Sequence, residues 1–290
     1  MIGYDALVDD VALVPRAAVG LVAVTGPDAH GFLQSLASQD LAGIAPGETR
    51  HSLLLEPQGK LVAEFHVLAV GDEELWLRCE PAVAPVLAAG LARFKIRVKV
   101  EIDDRSAASS ALMLRGPHAA AVAFDAPPSC QVLRIDWPAS VGRELVGPHA
   151  AIDQAVRPAV TAADEAALDV VRIEARVPRQ PDDIDARTIA QEALLEQTAV
   201  SFTKGCFVGQ ELVCRIDTRG HVNRTLRRVR AESPMTVGAE VRTREGRAAG
   251  TITSAAVSPR QGPIALATLR REVVAGDALE IEGVPAWSVD

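Results

Sequence analysis

Aromatic side chains are scarce in this chain: Phe, Trp and Tyr make up 3% of 290 residues, and there is one tyrosine. A core with so few rings must be filled by Ala, Val, Leu and Ile, which the 48% hydrophobic content supplies. Cysteine occurs four times, at Cys79, Cys130, Cys206 and Cys214, and no two of these form a C-x-x-C pair. That scatter excludes a disulfide framework, a zinc site or redox dithiol of the C-x-x-C type, and a cluster-ligating run. The six histidines show no i, i+4 pairing, so no metal site is expected. No apolar stretch approaches the roughly 20 residues of a spanning helix. Residues 1–10 carry no basic start before an apolar run, so no secretory signal and no membrane partner are expected. The expected setting is cytoplasmic. A net charge of −8 gives no global attraction for nucleic acid or acidic membrane.

What is present reads as mixed α and β. Strand-like runs at 11–14, 21–24, 53–55, 61–70 and 96–102 alternate with helical spacing at 28–37 and 81–94. Pro57-Gln58-Gly59 marks a turn between two of the strands. Gly26-Pro27-Asp28-Ala29 and Gly116-Pro117-His118-Ala119 each follow a β-like run, and this echo suggests two related halves; a third copy stands at Gly147-Pro148-His149-Ala150. Residues 164–177 form the clearest helix, stopped by Pro178 and Pro181. After Thr225 the runs become short, β-prone and cut by Pro and Gly, as in a small all-β domain. The boundaries expected are 1–110, 111–224 and 225–290.

Chemistry concentrates at Lys204-Gly205-Cys206-Phe207-Val208-Gly209-Gln210-Glu211. Two glycines flank a thiol, and helical character follows over 208–216. Gly205 would permit a tight turn, and Gly209 would let another group approach the backbone closely. Cys206 would then lie just ahead of a helix N-terminus with Lys204 close by, and both effects favour thiolate. A buried structural cysteine is the alternative reading. Gln210 and Glu211 suit a pocket or a helix cap equally. Lys204 is one of four lysines among twenty-six arginines. From 204 to 230 there are seven basic residues against two acidic ones, a basic stretch in an acidic chain. It could hold a polyanion such as a polyglutamate tail or an RNA backbone, or an acidic partner, or be a solvated face.

These residues resemble the signature of the YgfZ family, a branch of the superfamily that contains the T-protein of the glycine cleavage system. Residues 21–29 with Phe32-Leu33-Gln34 are similar to the family's opening strand and helix. Arg172-Ile173-Glu174-Ala175 resembles its R-x-E-A segment, Glu192 its upstream acidic residue, and Gly220-His221-Val222-Asn223-Arg224 the continuation of the signature. Gly250 and Ile252-Thr253-Ser254 resemble its terminal barrel. The resemblance implies an α+β fold: two tightly associated α/β domains of the T-protein folate-binding type, then a C-terminal β-barrel. It implies a site for tetrahydrofolate or a related reduced folate between the first two domains. There Glu192 would accept from the pterin edge, with Lys204, Gln210, Glu211 and Arg215 lining or supporting the pocket, and Cys206 as the functional thiol.

The expected role is an accessory factor for assembly or repair of iron–sulfur enzymes, including tRNA-modifying ones. Its partners would be the assembly machinery or client enzymes. One departure bears on turnover. Where the aminomethyltransferases carry an Asp-Asp pair, this chain has Ala63 and Glu64. The change would misplace a catalytic carboxylate by more than about 1 Å, which argues against glycine cleavage and leaves enzyme activity open. Two alternatives are kept: a folate-dependent aminomethyltransferase or demethylase, and a tRNA-binding module.

Overall fold

A computed structural model describes residues 1–138 and 140–290. The chain opens with α1 (Tyr4–Asp9) and β1 (Ala12–Arg16). The first sheet unit follows: β2 (Gly20–Thr25), α2 (Ala29–Leu36), β3 (Thr49–Leu55), β4 (Leu61–Gly71), β5 (Glu74–Cys79), α3 (Ala84–Ala92) and β6 (Glu101–Asp104). Next come β7 (Ser109–Gly116), β8 (Gln131–Arg134), β9 (Val141–Pro148), α4 (His149–Gln154), β10 (Thr161–Ala162) and α5 (Glu165–Glu174). Short α6 (Glu196–Ala199) and α7 (Gln210–Arg219) lead to the terminal strands. These are β11 (Arg224–Ala231), β12 (Glu240–Thr243), β13 (Ala248–Ser258), β14 (Gly262–Arg270), β15 (Ala278–Ile281) and β16 (Val284–Ser288).

The strands form two five-stranded sheets, ordered β3-β4-β5-β2-β6 and β10-β1-β7-β9-β8, and a closed barrel, β11-β14-β13-β12-β15-β16. The first sixteen residues pack with the second sheet, since β1 pairs with β7. The echo of glycines marks equivalent places. Gly26 follows β2 and Gly116 follows β7, at φ +121° and +138°. A Cβ on either would sit 2.3 Å from a carbonyl, of Lys99 or of Asp10, so both turns require glycine. Each preceding strand lies between two antiparallel neighbours.

Helix ends follow local chemistry. Asp164 caps α5 by accepting from the Ala167 N–H at 2.7 Å. Residues 96–100, read as strand, are not paired; Arg97 takes φ +57°, and pairing begins at Glu101. On α3, Val86 is exposed, while Leu87 and Leu91 are buried.

The two sheets meet across Leu21, Ala23, Leu68, Trp76, Leu133, Ile135 and Val146. Within this contact lies a buried ion pair. Arg78 of β5 donates through Nε and Nη2 to both oxygens of Glu144 on β9, each at 2.9 Å. Glu144 is fully buried and Arg78 nearly so. The barrel is joined to the body by apolar contact of Leu226, Ile264 and Leu266 with α1 and α5. Arg172 adds a buried polar tie. It donates to Asp183 at 2.6 Å and to Ser254 Oγ of β13 at 2.9 Å.

Removing one member of a buried pair strands the other charge. Glu144→Gln is expected to lower unfolding free energy by about 3–5 kcal/mol. Urea unfolding of the variant beside wild type measures it, and a loss below about 1 kcal/mol would show that the pair does not hold the sheets together.

Candidate ligand cavity and the signature loop

Lys204, Phe207 and Gly209 of the signature loop are packing residues, while Gly205, Cys206 and Glu211 are exposed. Lys204 is buried, and its ammonium donates to the carbonyls of Gln34, Ala37 and Gln39 at 2.7, 2.7 and 3.0 Å. Gln34 and Ala37 lie at the C-terminal end of α2 and Gln39 in the segment just after it, so the lysine caps that helix and ties down the chain that follows. Burial pulls its pKa down to about 8. Phe207 is buried among Leu53, Leu55, Leu61 and Val213. Gly209 has φ +81°, and a Cβ there would meet the Glu56 carbonyl at 2.6 Å. The close approach expected at Gly209 is therefore made by the β3–β4 turn, where Gly59 (φ +75°) faces it in turn. Gly205 has open space around it and no left-handed backbone, so no tight turn depends on it.

Cys206 is exposed, and α7 starts four residues later at Gln210. The lysine expected to favour its thiolate points instead into α2. Glu192 ends a 3-10 turn (Ala190–Glu192) and accepts from the Ile189 N–H at 3.0 Å, which is a capping contact. Gln210, Glu211 and Arg215 lie in the first turns of α7, the last two exposed. The basic stretch does not form one face. Lys204 is turned inward, Arg228 pairs with Asp290, and Arg230 donates to the Gln261 carbonyl. Arg215, Arg219 and Arg224 remain exposed.

None of the six expected site residues lines the large cavity of the structure. That cavity, about 590 Å³, lies where the two sheets, the end of α5, the α6 segment and the barrel converge. Its wall includes His51 of β3, Glu64 and His66 of β4, Asp136 and Trp137 after β8, Glu174 to Pro178, Leu194, Thr198, and Arg228 and Asp290 of the barrel. A smaller chamber of about 100 Å³ adjoins it and shares Glu64, His66, Trp137, Val177 and Pro178. Two wall residues, Arg176 and Leu194, hold positive φ, at +53° and +59°. Backbone strain in residues other than glycine concentrates at functional sites.

The wall is chemically ordered. Glu64 accepts from or shares a proton with His51 Nε2 at 2.9 Å, and His51 Nδ1 meets Thr198 Oγ1 at 2.9 Å. Trp137 stacks on the Arg115 guanidinium at 3.8 Å. Arg115 is fully buried, and burial without a paired carboxylate lowers its pKa to about 9. Glu174 Oε1 accepts from Tyr4 at 2.7 Å and Ser258 at 2.5 Å. Along β4, Ala63 faces the core and Glu64 faces the cavity. Glu64 and His66, polar at i and i+2 on an otherwise apolar strand, were the signal available in the sequence for this wall. Among the described residues, no three His, Cys, Asp or Glu side chains gather as a metal site. No helix among them is long and apolar enough to cross a membrane.

The chain matches the GCVT N-terminal domain family over residues 4–127 and the C-terminal β-barrel domain family of CAF17 over residues 224–287. It is 27% identical to the mouse mitochondrial iron-sulfur cluster assembly factor IBA57, over 88% of this chain and 76% of that one. It is 28% identical to the tRNA-modifying protein YgfZ of Edwardsiella ictaluri, over 70% and 66%. The crystal structure of glycine cleavage system aminomethyltransferase T from Bartonella henselae superposes with a TM-score of 0.85 at 21% identity, covering 99% of this chain and 87% of that one.

Two consequences for the loop can be measured. Lys204→Met orphans three carbonyls and is expected to cost about 1–3 kcal/mol of stability, read by thermal unfolding; an unchanged midpoint would contradict the capping role. In the folded protein, Cys206 is expected to react first with a thiol reagent and Cys214 more slowly. Cys79, whose thiol burial pushes up to about 12, should stay protected until unfolding, as should buried Cys130. Peptide mapping after timed alkylation decides the order, and early labelling of Cys79 would refute it.

Proposed function

The chain belongs to the aminomethyltransferase superfamily, in the arrangement of a GCVT N-terminal domain and a CAF17-type barrel, and we propose that it is a reduced-folate-binding accessory factor for iron–sulfur enzymes. The observation that carries the reading is the cavity at the junction of the two sheets and the barrel. Its volume, about 590 Å³, falls in the range of roughly 300–1,000 Å³ that holds a ligand of folate's size.

The polar groups on its wall fit such a molecule. A pterin edge offers an N–H and an amino group side by side, which a carboxylate can accept. Glu64 and Glu174 each keep one carboxylate oxygen without a protein partner among the described residues. We assign the acceptor role to these two instead of Glu192, which caps its own turn and does not line the cavity. Trp137 gives the wall a flat apolar face, and Arg134 at the rim offers a cation to the glutamate carboxylates. A reduced folate, when bound, supplies a nitrogen able to carry a one-carbon unit. The chain's own residues bind it, orient it and screen it from water.

Cys206 is the second element of the proposal. It lies on the surface, away from the cavity wall, and there it can meet a partner protein without any motion of the fold. The relatives named for iron–sulfur cluster assembly and for tRNA modification support a client of that kind. The aminomethyltransferase reading rests on the shared fold and on sequence relatives of that name. The missing second carboxylate at Ala63 counts against it, and a one-carbon transfer assay separates the two.

Titration calorimetry with tetrahydrofolate tests the site. Glu64→Gln and Glu174→Gln are each expected to weaken binding by roughly ten- to a hundredfold, while Glu192→Gln and Cys206→Ala stay within about twofold. In cells lacking the protein, Cys206→Ala should fail to restore an iron–sulfur enzyme under oxidative stress, and Cys214→Ala should restore it. A wild-type protein that binds no folate, or full rescue by Cys206→Ala, would overturn the corresponding half.

A further inference from the structure

One imidazole on the cavity wall has no hydrogen-bond partner among the described residues. His66 of β4 lies opposite His51 of β3, and the two rings stack at 4.5 Å with 7° between their planes. His51 is fully engaged, held by Thr198 through Nδ1 and by Glu64 through Nε2. Glu64 is itself fixed, because its backbone N–H donates to the Gln180 side chain at 2.9 Å. This hydroxyl–imidazole–carboxylate chain locks the ring of His51 and, through the stack, the plane of His66. The ring of His66 makes no hydrogen bond among the described residues, and it borders both the large cavity and the inner chamber.

The charges around His66 all act against a proton on it. Arg78 of β5 and Arg115 of β7 approach from the sheets behind it, and His51 lies alongside. The carboxylates that could compensate are committed elsewhere. Glu80 and Glu165 pair with Arg16, and Asp169 pairs with Arg172 and Arg179. Across the cavity, Asp136 pairs with Arg134, Asp290 pairs with Arg176 and Arg228, and Glu174 serves Tyr4 and Ser258. Burial, His51 and the two arginines hold the pKa of His66 well below the usual imidazole value. A neutral imidazole keeps one nitrogen lone pair free to accept.

We propose that His66 is the hydrogen-bond acceptor for a ring N–H of the ligand in this cavity, and that protonating it in acid releases the ligand. The inference rests on the folate reading only for the identity of the ligand. It makes the imidazole pair a binding determinant of the cavity wall. His51 and Thr198 act on the ligand through His66 and are positioning residues, whereas Glu64 braces His51 with one oxygen and faces the cavity itself.

The sign of the pH effect follows from the displaced titration. As pH falls through about 6.5, the unfolded chain takes up a proton that folded His66 refuses, so stability declines over that window until the folded pKa is reached. Affinity stays flat above it and drops only as folded His66 protonates.

The test pairs calorimetry with NMR on the full chain. Tetrahydrofolate kept anaerobic is titrated from pH 8 to 5 into wild type, His66→Phe and His66→Gln. His66→Phe keeps a stacking ring but no acceptor, and roughly tenfold weaker binding is expected at pH 7.5, without the acid-side drop. His66→Gln restores an acceptor oxygen that does not titrate, so it should regain affinity and still lack the drop. Without ligand, the Cε1–H resonance lost in His66→Phe should titrate well below 6.5. Equal affinity and an equal pH profile in His66→Phe would overturn the proposal, as would an ordinary titration of that resonance. If wild type binds no tetrahydrofolate, the folate reading fails, and the NMR titration alone decides for or against a neutral His66.

Discussion

Arg172, on the wall of the smaller chamber beside the cavity, ties its own helix, the segment after it and the barrel together. Its guanidinium donates to Asp169 on its own helix, to the Val177 carbonyl, to Asp183 and to Ser254 of the barrel. Asp183 in turn accepts from Thr253, from Ser254 and from the Arg179 backbone. Both charged side chains are buried. Apolar packing alone would close a hole of this size, since protein interiors fill to crystal-like density. A satisfied polar network resists that collapse, because any shift leaves a buried donor or charge unpaired. The R-x-E-A segment therefore places its arginine in the frame and its glutamate on the cavity wall.

Much of the frame was legible in the sequence. The echo at Gly26 and Gly116 marked two halves, and both glycines prove to stand where a carbonyl leaves no room for a Cβ. The close approach at Gly209 was legible as well, but its partner was not. That partner is the Pro57-Gln58-Gly59 turn, about 150 residues earlier in the chain, and pairings at such separation leave no local periodicity to read. Lys204 shows the same limit. Its three acceptors lie at the end of α2 and in the segment just after it, so a residue that looked like part of a thiol site is a helix cap. The cavity wall was the least legible part, because it draws one or two residues from each of several distant segments. Only Glu64 and His66, as polar neighbours on one face of an apolar strand, gave a local sign of it.

Two kinds of chemistry are thereby separated in space. The cavity carries carboxylates, imidazoles and an aromatic face in strained, well-braced surroundings. The signature loop carries packing residues and a single exposed thiol. A transferase needs its reacting groups together, whereas an accessory factor that senses or holds a folate inside and meets a client outside does not. The loop's contact with the β3–β4 turn joins the two regions mechanically, since that hairpin also carries His51, Glu64 and His66.

The central claim is that folate occupies the junction cavity and not the loop around Cys206. A crystal structure of the protein with bound tetrahydrofolate tests it most directly. The account predicts ligand density bounded by Glu64, His66, Trp137, Glu174 and Leu194, with the pterin edge on a carboxylate and Cys206 outside contact distance. Density against Cys206, Lys204 and Glu192 with the junction cavity filled only by water would contradict it.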